Sequence, residues 1–574
     1  MPRVELTGGF YEDDALQFDA QRCVNMYPEI GSGQSKSSAK LTYSPGLIIE
    51  KQGFKLNPAV DRFIQPLTIY KTSNNLLFYF YLYEESSGET WCEVSAIDVD
   101  GNGSALAFQV YAVVPNGEFF NIKAVDNGKV ISLVVTNSDI DYDSKCFFID
   151  INTFITTPNV TIVTDSDFPT NVIDQEYHDG YFIWLQKRGE LTSGTVEDRF
   201  YISRLFVGIA DAGDCLNALD FGVTESSPDS VSGIERISNE LAIFGDQSIE
   251  FFYNSGNFDF PFERNSGVTQ NIGTQLVNSI KKINNTVYFI GSDSNGANVV
   301  YRLNGYNPER ISTHAIERRL NYLSEVDYSE FISTRCYTYE VDGHYFYCIN
   351  YKRTSNQTRY NQTTFVFDIS TGIWHETVYL SGEVETSLPI VDSVSFAGRT
   401  FALSTPDYTI DGGGFSIINV YSFSKESLVV PLYGGEATLQ DKRMPRIRTM
   451  PHLTNENRNI IYKSLELDAQ KGLSDTSPII TYQGEPITTN GDQWTYQADF
   501  EFFLADIQLS VSRDGGETFG NPITKLIGGE GEYKKRIKFD MLGMARDAVF
   551  KIESRKKIKQ EWFTTYLKYE VMSE

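Results

Sequence analysis

Along most of the chain, a turn-forming pair leads again and again into a run rich in aromatic and aliphatic residues. The instances are Asn75-Leu-Leu-Phe-Tyr-Phe, Asn127-Gly-Lys-Val-Ile-Ser-Leu, Asp179-Gly-Tyr-Phe-Ile-Trp, Asn239-Glu-Leu-Ala-Ile-Phe, Asn285-Thr-Val-Tyr-Phe-Ile, Asp342-Gly-His-Tyr-Phe-Tyr and Gly398-Arg-Thr-Phe-Ala-Leu. Each predicts a strand entered from a tight turn. Each is followed by a second strand that ends in a polar corner, at Asp98, Asp150, Ser203, Asn254, Asn304, Asp368 and Ser424. The corners are spaced by 52, 53, 51, 50, 64 and 56 residues, and the longest interval holds the polar insertion Thr354 to Thr364. A period of about 50 to 55, made of strands and turns with no amphipathic helical stretch, predicts four-stranded β-propeller blades. The count is seven, with six or eight as alternatives; two unrelated β-sandwiches with evenly spaced hairpins are the competing reading.

The first 50 residues lie outside the repeat, and Gly31-Ser-Gly-Gln-Ser-Lys-Ser-Ser has the composition of a flexible loop, which predicts an extended arm. After about Pro431 the repeat stops. Asp441-Lys-Arg-Met-Pro-Arg-Ile-Arg reads as a linker into short alternating strands such as Leu504 to Ser512 and Glu532 to Phe539. The expected all-β organisation is an extended arm over 1–50, a propeller over 51–435 and a β-sandwich-like domain over 436–574.

Composition supports strands. Of 574 residues, 14% are aromatic (39 Phe, 34 Tyr, 5 Trp) and 44 are Gly, while 41% hydrophobic and 22% charged residues are ordinary for a folded chain. The net charge of -27 has the wrong sign for general phosphate binding. It is unevenly spread: Glu530 to Glu574 carries net +3, and residues 1 to 529 carry -30. The amino-terminal sequence lacks a basic region followed by an apolar run, and no window has the length of a membrane span, so the expectation is synthesis in the cytoplasm. Cys23, Cys92, Cys146, Cys215, Cys336 and Cys348 are scattered without a C-x-x-C, as expected of reduced packing residues.

Few motifs carry chemistry. Asp98-Val-Asp100-Gly-Asn102-Gly103 resembles the first half of a calcium loop, but Gln109 stands where a bidentate Glu is needed; a hairpin turn is the rival reading. Asp139-Ile-Asp141-Tyr-Asp143 poses the same choice. Ser512-Arg-Asp514-Gly-Gly516-Glu-Thr518-Phe519 resembles an Asp box, a hairpin capped by side-chain hydrogen bonds, with Phe519 where Trp is usual. His178, His314, His344, His375 and His452 occur singly, and there is no G-x-S-x-G, P-loop or dinucleotide fingerprint. No catalytic residue, cofactor or metal ligand is assigned. The basic runs Lys534-Lys535-Arg536-Ile537-Lys538 and Arg555-Lys556-Lys557-Ile558-Lys559 read as edge strands with a charged face, against docking to an acidic partner or nucleic acid.

An ordered set of segments resembles one phage family, the packaged-DNA stabilisation proteins that form the tail hub or nozzle of short-tailed phages. The set begins with Gln21-Arg-Cys-Val-Asn-Met-Tyr-Pro-Glu29 and Tyr43-Ser-Pro-Gly-Leu47. It continues through Phe244 to Gly256, Phe260-Pro-Phe-Glu-Arg264, Gly305 to Glu317 and Thr371-Gly-Ile-Trp-His-Glu376, and ends with Arg513 to Phe519, Gly531 to Arg536 and Ala545 to Phe550. Met26 and Ser44 depart from the family's usual Leu and Thr.

The resemblance implies a virion tail protein without enzymatic activity, assembled in the host cytoplasm as a homo-oligomeric ring of about six copies. It implies closure of the portal and adaptor channel after packaging, contact with tail fibre, spike or needle proteins, and passage of viral DNA without specific binding. Acidic side chains are expected along that path, with acid for surface solubility as the alternative. Arg22, Asn25, Tyr27, Pro28 and Glu29 are the candidate subunit or adaptor contacts, or else a latch onto the propeller of their own chain. The rival functions are a propeller-type glycan hydrolase or depolymerase, with its active site on the axis, and a receptor-binding virion protein.

Overall fold

The computed structural model describes the chain apart from residues 1–2, 5, 32–34, 36, 57–61, 86, 112–119, 138–143, 192–193, 225–228, 293–295, 353–359, 406, 409–415, 434–438, 457, 472–505, 529–531 and 573–574. Most of the polar insertion and the Asp139 to Asp143 cluster therefore fall outside the described residues. Contacts divide the chain into two units, one made of Leu47–Gly372 and Glu385–Asp441, the other of Met1–Gly46, Ile373–Val384 and Lys442–Glu574.

The larger unit is a succession of antiparallel sheets. The first four-stranded sheet contains Arg62–Lys71, Leu77–Glu84, Thr90–Ile97 and Gly103–Tyr111. The same plan repeats from Phe120–Asp126, Val172–His178, Val231–Ile237 and Lys281–Ile283, each the first strand of another four-stranded sheet. A sixth sheet places Cys336–Val341, His344–Tyr351 and Thr363–Asp368 in this unit, and a seventh begins with Ile390–Phe396, Arg399–Ser404 and Ser416–Ser424.

The seven turn pairs join the first strand of each sheet to the second. Their backbones are left-handed, with φ of 56° at Asn75, 82° at Gly128, 49° at Asp179, 52° at Ser238, 67° at Asn285, 50° at Asp342 and 74° at Gly398. That region suits Asn, Asp and Gly, which is why these residues recur there. The seven polar corners stand at or just after the end of the third strand. At the first, Asp98 accepts the backbone N–H groups of Asp100 at 2.9 Å and Asn102 at 2.8 Å, the work of a turn cap.

Apolar side chains fill the spaces between successive sheets. Phe80 and Leu82 pack with Leu133 and Phe147, Phe148 with Phe182 and Trp184, Leu185 with Ile243 and Phe252, and Phe244 with Val287 and Phe289. The circle then closes, because Val391, Phe401, Leu403 and Val420 of the seventh sheet pack with Ile69, Tyr79 and Tyr81 of the first. The amino-terminal strand Gly46–Leu56 pairs with Ser416–Ser424, and Glu50 accepts Arg399 Nη1 at 2.7 Å and Ser422 Oγ at 2.5 Å. This is a β-propeller closed by strands from opposite ends of the unit's sequence.

One element departs from expectation. His314–Val326 is an α-helix, followed by Tyr328–Ile332, between the fifth and sixth sheets. Ile316, Leu320 and Leu323 are buried, an i, i+4, i+7 stripe.

The second unit is a β-sandwich. One sheet orders Met26–Ile30, Ala39–Tyr43, Trp562–Val571, Ile460–Ala469 and Ile537–Ala545, with Arg3–Val4 on Trp562–Val571. The facing sheet includes Ala20–Val24, Arg446–Thr449, Asp547–Ser554, Asp506–Ser512 and Ile523–Leu526. Its core joins Leu41, Tyr462, Leu465, Phe539 and Trp562 to Cys23, Leu509, Phe550 and Ile552. The extended-arm expectation for residues 1–50 is thereby corrected. Residues 20–43 give strands to both sheets, because the carboxy-terminal strands alone leave part of the core uncovered.

The Asp box is formed as read. Asp514 Oδ1 accepts Ser512 Oγ at 2.6 Å and Thr518 N at 3.0 Å, while Ser512 Oγ accepts Gly516 N at 2.8 Å. Hydrogen bonds from Ser512 and Thr518 hold the Asp514 carboxyl down at about 2, against an ordinary 3.8. Because the folded pKa is depressed, this contribution is complete above about pH 4 and is lost as pH falls through about 2. We expect Asp514→Asn to flatten the acid limb of the stability curve between these values and to leave the slope near neutrality unchanged, as read by urea unfolding across pH.

Candidate functional site

The five amino-terminal candidates build a buried corner in the sandwich. Ala20–Val24 pairs with Arg446–Thr449 in one sheet, whereas Met26–Ile30 pairs with Ala39–Tyr43 in the other. Asn25 makes the crossing at φ 54°, a left-handed conformation that Asn tolerates. Its Nδ2 donates to the carbonyls of Val378 at 2.9 Å and Pro445 at 2.6 Å, and its Oδ1 accepts Val378 N at 3.0 Å. Its backbone N–H donates to Glu376 O at 2.7 Å.

Arg22 grips Glu376 with two prongs, Nε to Oε2 at 2.8 Å and Nη2 to Oε1 at 3.2 Å. Tyr27 is fully buried, with its ring 5.9 Å from that of His375, and Pro28 is buried beside it. Glu29 sits at the rim, accepting Thr42 Oγ1 at 3.1 Å and facing Lys40 Nζ at 3.3 Å. Four of the five thus point into their own unit.

Sequence reading missed Arg448, which organises the same region. It is fully buried and donates to Leu6 O at 2.8 Å, Gly9 O at 3.1 Å, Arg22 O at 3.2 Å and Gln21 Oε1 at 2.8 Å. One guanidinium thereby satisfies carbonyls of a segment that has few ladder partners of its own. The only sequence signal was the alternation Arg446-Ile-Arg448, read above as a linker.

At least four of the eight Lys and Arg in the basic runs form ion pairs within the sandwich. Arg536 pairs with Glu466 at 2.8 Å, Lys535 with Glu532 at 2.9 Å, Lys538 with Asp540 at 2.6 Å and Arg555 with Glu383 at 2.6 Å. Ile537–Ala545 ends its sheet, in keeping with the charged-edge reading, but Arg555 follows the interior strand Asp547–Ser554. The histidines serve structure: His452 lies between Asp547 at 2.8 Å and Leu16 O at 2.9 Å, and His344 faces Asp368 at 3.0 Å.

In the propeller, the first strands of the sheets surround an axis carrying both signs of charge. Lys281 pairs with Asp392 at 2.8 Å, Lys123 with Asp174 at 3.2 Å and Lys282 with Glu235 at 3.3 Å. Asp392 also accepts Thr68 Oγ1 at 2.9 Å, and Asp174 accepts Ile234 N at 3.1 Å. Burial disfavours the Lys123 ammonium, yet Asp174, Glu235 and Asp392 hold its pKa above the ordinary value.

A cavity of about 560 Å³ is lined by Tyr70, Asp126, Glu176, Tyr177 and Arg236 among others. Burial and the neighbouring Glu235 raise Glu176 to about 7, a value at which a carboxyl exchanges protons near neutrality. A glycosidase pairs such an acid with a second carboxylate. Asp126 in the same lining accepts Tyr70 Oη at 2.9 Å, Ser73 N at 3.0 Å and Gly128 N at 2.8 Å, the work of a turn cap.

Two outcomes test these assignments. Asn25→Asp replaces the donor facing Val378 O and Pro445 O with an acceptor, so it should destabilise the sandwich by about 2 to 4 kcal/mol in urea unfolding, more than Asn25→Gly does. For Glu176 the folded pKa is raised, so stability is lost as pH rises from about 4.5 through 7. Glu176→Gln should therefore stabilise the propeller at pH 8 by about 1 to 2 kcal/mol and remove that slope.

The comparisons with known proteins point one way. The family described as "Bacteriophage P22 Gp10, beta-propeller" matches residues 2–372. No curated protein matches the chain. Among solved structures, an exo-beta-1,3-galactanase from Phanerochaete chrysosporium is similar at 9% identity and a TM-score of 0.23, over 95% of this chain and 96% of that one. The WD40 domain of SCAP from fission yeast is similar at 9% identity and a TM-score of 0.24, over 71% of this chain and 94% of that one. Scores this low carry no argument about activity.

Proposed function

Because this chain belongs to the phage packaged-DNA stabilisation family, the family described by Bacteriophage P22 Gp10, we propose that it is a structural tail protein of the virion. In this reading, copies assembled in the host cytoplasm form a ring of about six that closes the portal and adaptor channel, retains the packaged DNA and becomes its conduit on ejection. The family match over residues 2–372 carries the proposal.

Of the amino-terminal candidates, Arg22, Asn25, Tyr27 and Pro28 brace the sandwich. Contact with a neighbouring copy or the adaptor falls to Glu29 and to Ile30, which is 68% exposed at the strand's end. The -27 charge of each copy favours an acidic wall along the DNA path, because a basic wall binds passing phosphates and releases counterions, slowing ejection. Tail fibre, spike or needle proteins are the partners expected beyond the ring.

Phage particles assembled without this protein should release their DNA to nuclease, and added purified protein should restore protection. A monomer that cleaves host polysaccharide, with particles that keep their DNA in its absence, overturns the reading. In assembled particles, reversing several lumen carboxylates to Lys should slow ejection measured at low salt; an unchanged rate removes the acidic-wall part alone.

A further inference from the structure

The propeller axis contains a second feature, independent of the ring. A cavity of about 180 Å³ is lined by Lys123, Lys281, Arg335, Asp392, Asn121 and Asn278, with other inner-strand residues. At about 30 Å³ per water, it holds roughly six waters, room enough for a tetrahedral oxyanion with some hydration left.

The charges around it do not balance. Lys281 has Asp392 at 2.8 Å and Lys123 has Asp174 at 3.2 Å, so each lysine carries its own carboxylate. Arg335 has none within ion-pair distance among the described residues. Only 9% of it is exposed, and its Nε has no hydrogen-bond partner. Burial pulls its pKa below the ordinary value, against the opposing field of Asp392. A guanidinium remains charged under physiological conditions, and leaving one buried without an anion costs several kcal/mol.

Backbone connections fix its place. Arg335 immediately precedes the inner strand Cys336–Val341, and its carbonyl accepts Asn350 N at 3.0 Å, so the residue cannot swing away without breaking the sixth sheet. Asn278 lines the same cavity and brings no charge to it. Two lysines add positive potential, while their carboxylates are turned to them. Planar N–H groups of an arginine suit a tetrahedral oxyanion, which they engage through two parallel bonds.

We propose that this axial cavity is a binding site for a small tetrahedral oxyanion of the phosphate or sulfate class, anchored by Arg335 and attracted by Lys123 and Lys281. The anion completes the charge balance of the axis and ties the inner strands of several sheets together. It stabilises the folded propeller in proportion to the logarithm of its concentration above the dissociation constant.

The test uses the full chain and inorganic phosphate. Equilibrium dialysis with labelled phosphate should show saturable uptake near one per chain, displaced by sulfate and not by chloride at matched ionic strength. Arg335→Met should weaken uptake at least tenfold, and the phosphate-dependent rise in melting temperature should vanish with it. Should that variant fail to fold, Asn278→Asp places a carboxylate in the cavity and should weaken uptake to a similar degree. Absence of saturable uptake by the unaltered chain overturns the proposal, as does undiminished uptake by a folded Arg335→Met or Asn278→Asp variant.

Discussion

Both units depend on pairing the beginning of the chain with residues hundreds of positions later. Gly46–Leu56 closes the propeller against Ser416–Ser424, and the strands from Ala20 to Tyr43 complete both sheets of the sandwich against Arg446–Thr449 and Trp562–Val571. An open sheet exposes a row of unpaired backbone groups and the apolar face beneath it, so neither unit is finished until these strands dock. Loop closure over such separations is entropically costly but grows only logarithmically with length. The consequence falls on rate: non-local pairing of this kind folds slowly and leaves unpaired edges exposed while it waits.

What makes those distant pairings specific is polar burial. Apolar faces alone accept slipped registers, whereas a buried donor without its acceptor is expensive. Arg448 selects the carbonyls of Leu6, Gly9 and Arg22, and Asn25 selects those of Val378 and Pro445. A register shift of one residue in Ala20–Val24 unmakes both sets at once. The bidentate Arg22 to Glu376 pair acts on the same strand, adding direction where the parallel pairing of Val24 with Glu376 is short.

The propeller was legible in the sequence because its signals are local. A left-handed turn restricts residue type at each blade, and Asn127-Gly, Asp179-Gly and Asp342-Gly announce it directly. The family resemblance was equally readable from ordered motifs, and the family matched over residues 2–372 is the one they named. The helix His314–Val326 escaped because its apolar stripe, Ile316, Leu320 and Leu323, is narrow and interrupts a chain of otherwise regular strands. The amino-terminal segment was misread as an arm for a different reason. Arg22 and Asn25 look solvent-facing in sequence, and only the distant acceptors on Glu376, Val378 and Pro445 reveal them as parts of an interior. Arg335 carried no signal, since an unpaired buried charge is defined by what is missing around it.

The axial charges bear on how any conduit is made. A cavity with room for roughly six waters, lined by the Lys281 to Asp392 pair and by Lys123, does not admit a nucleic-acid strand. Opening it would mean separating the inner strands, and the same strands carry the packing of Ile69 and Val391 that closes the circle. Close-packed interiors do not dilate continuously, so the alternative to a closed axis is a broken propeller. On the conduit role proposed above, a DNA path would have to run between copies rather than through one propeller. On that proposal, an acidic wall would have to come from outer faces of the units and not from the propeller axis.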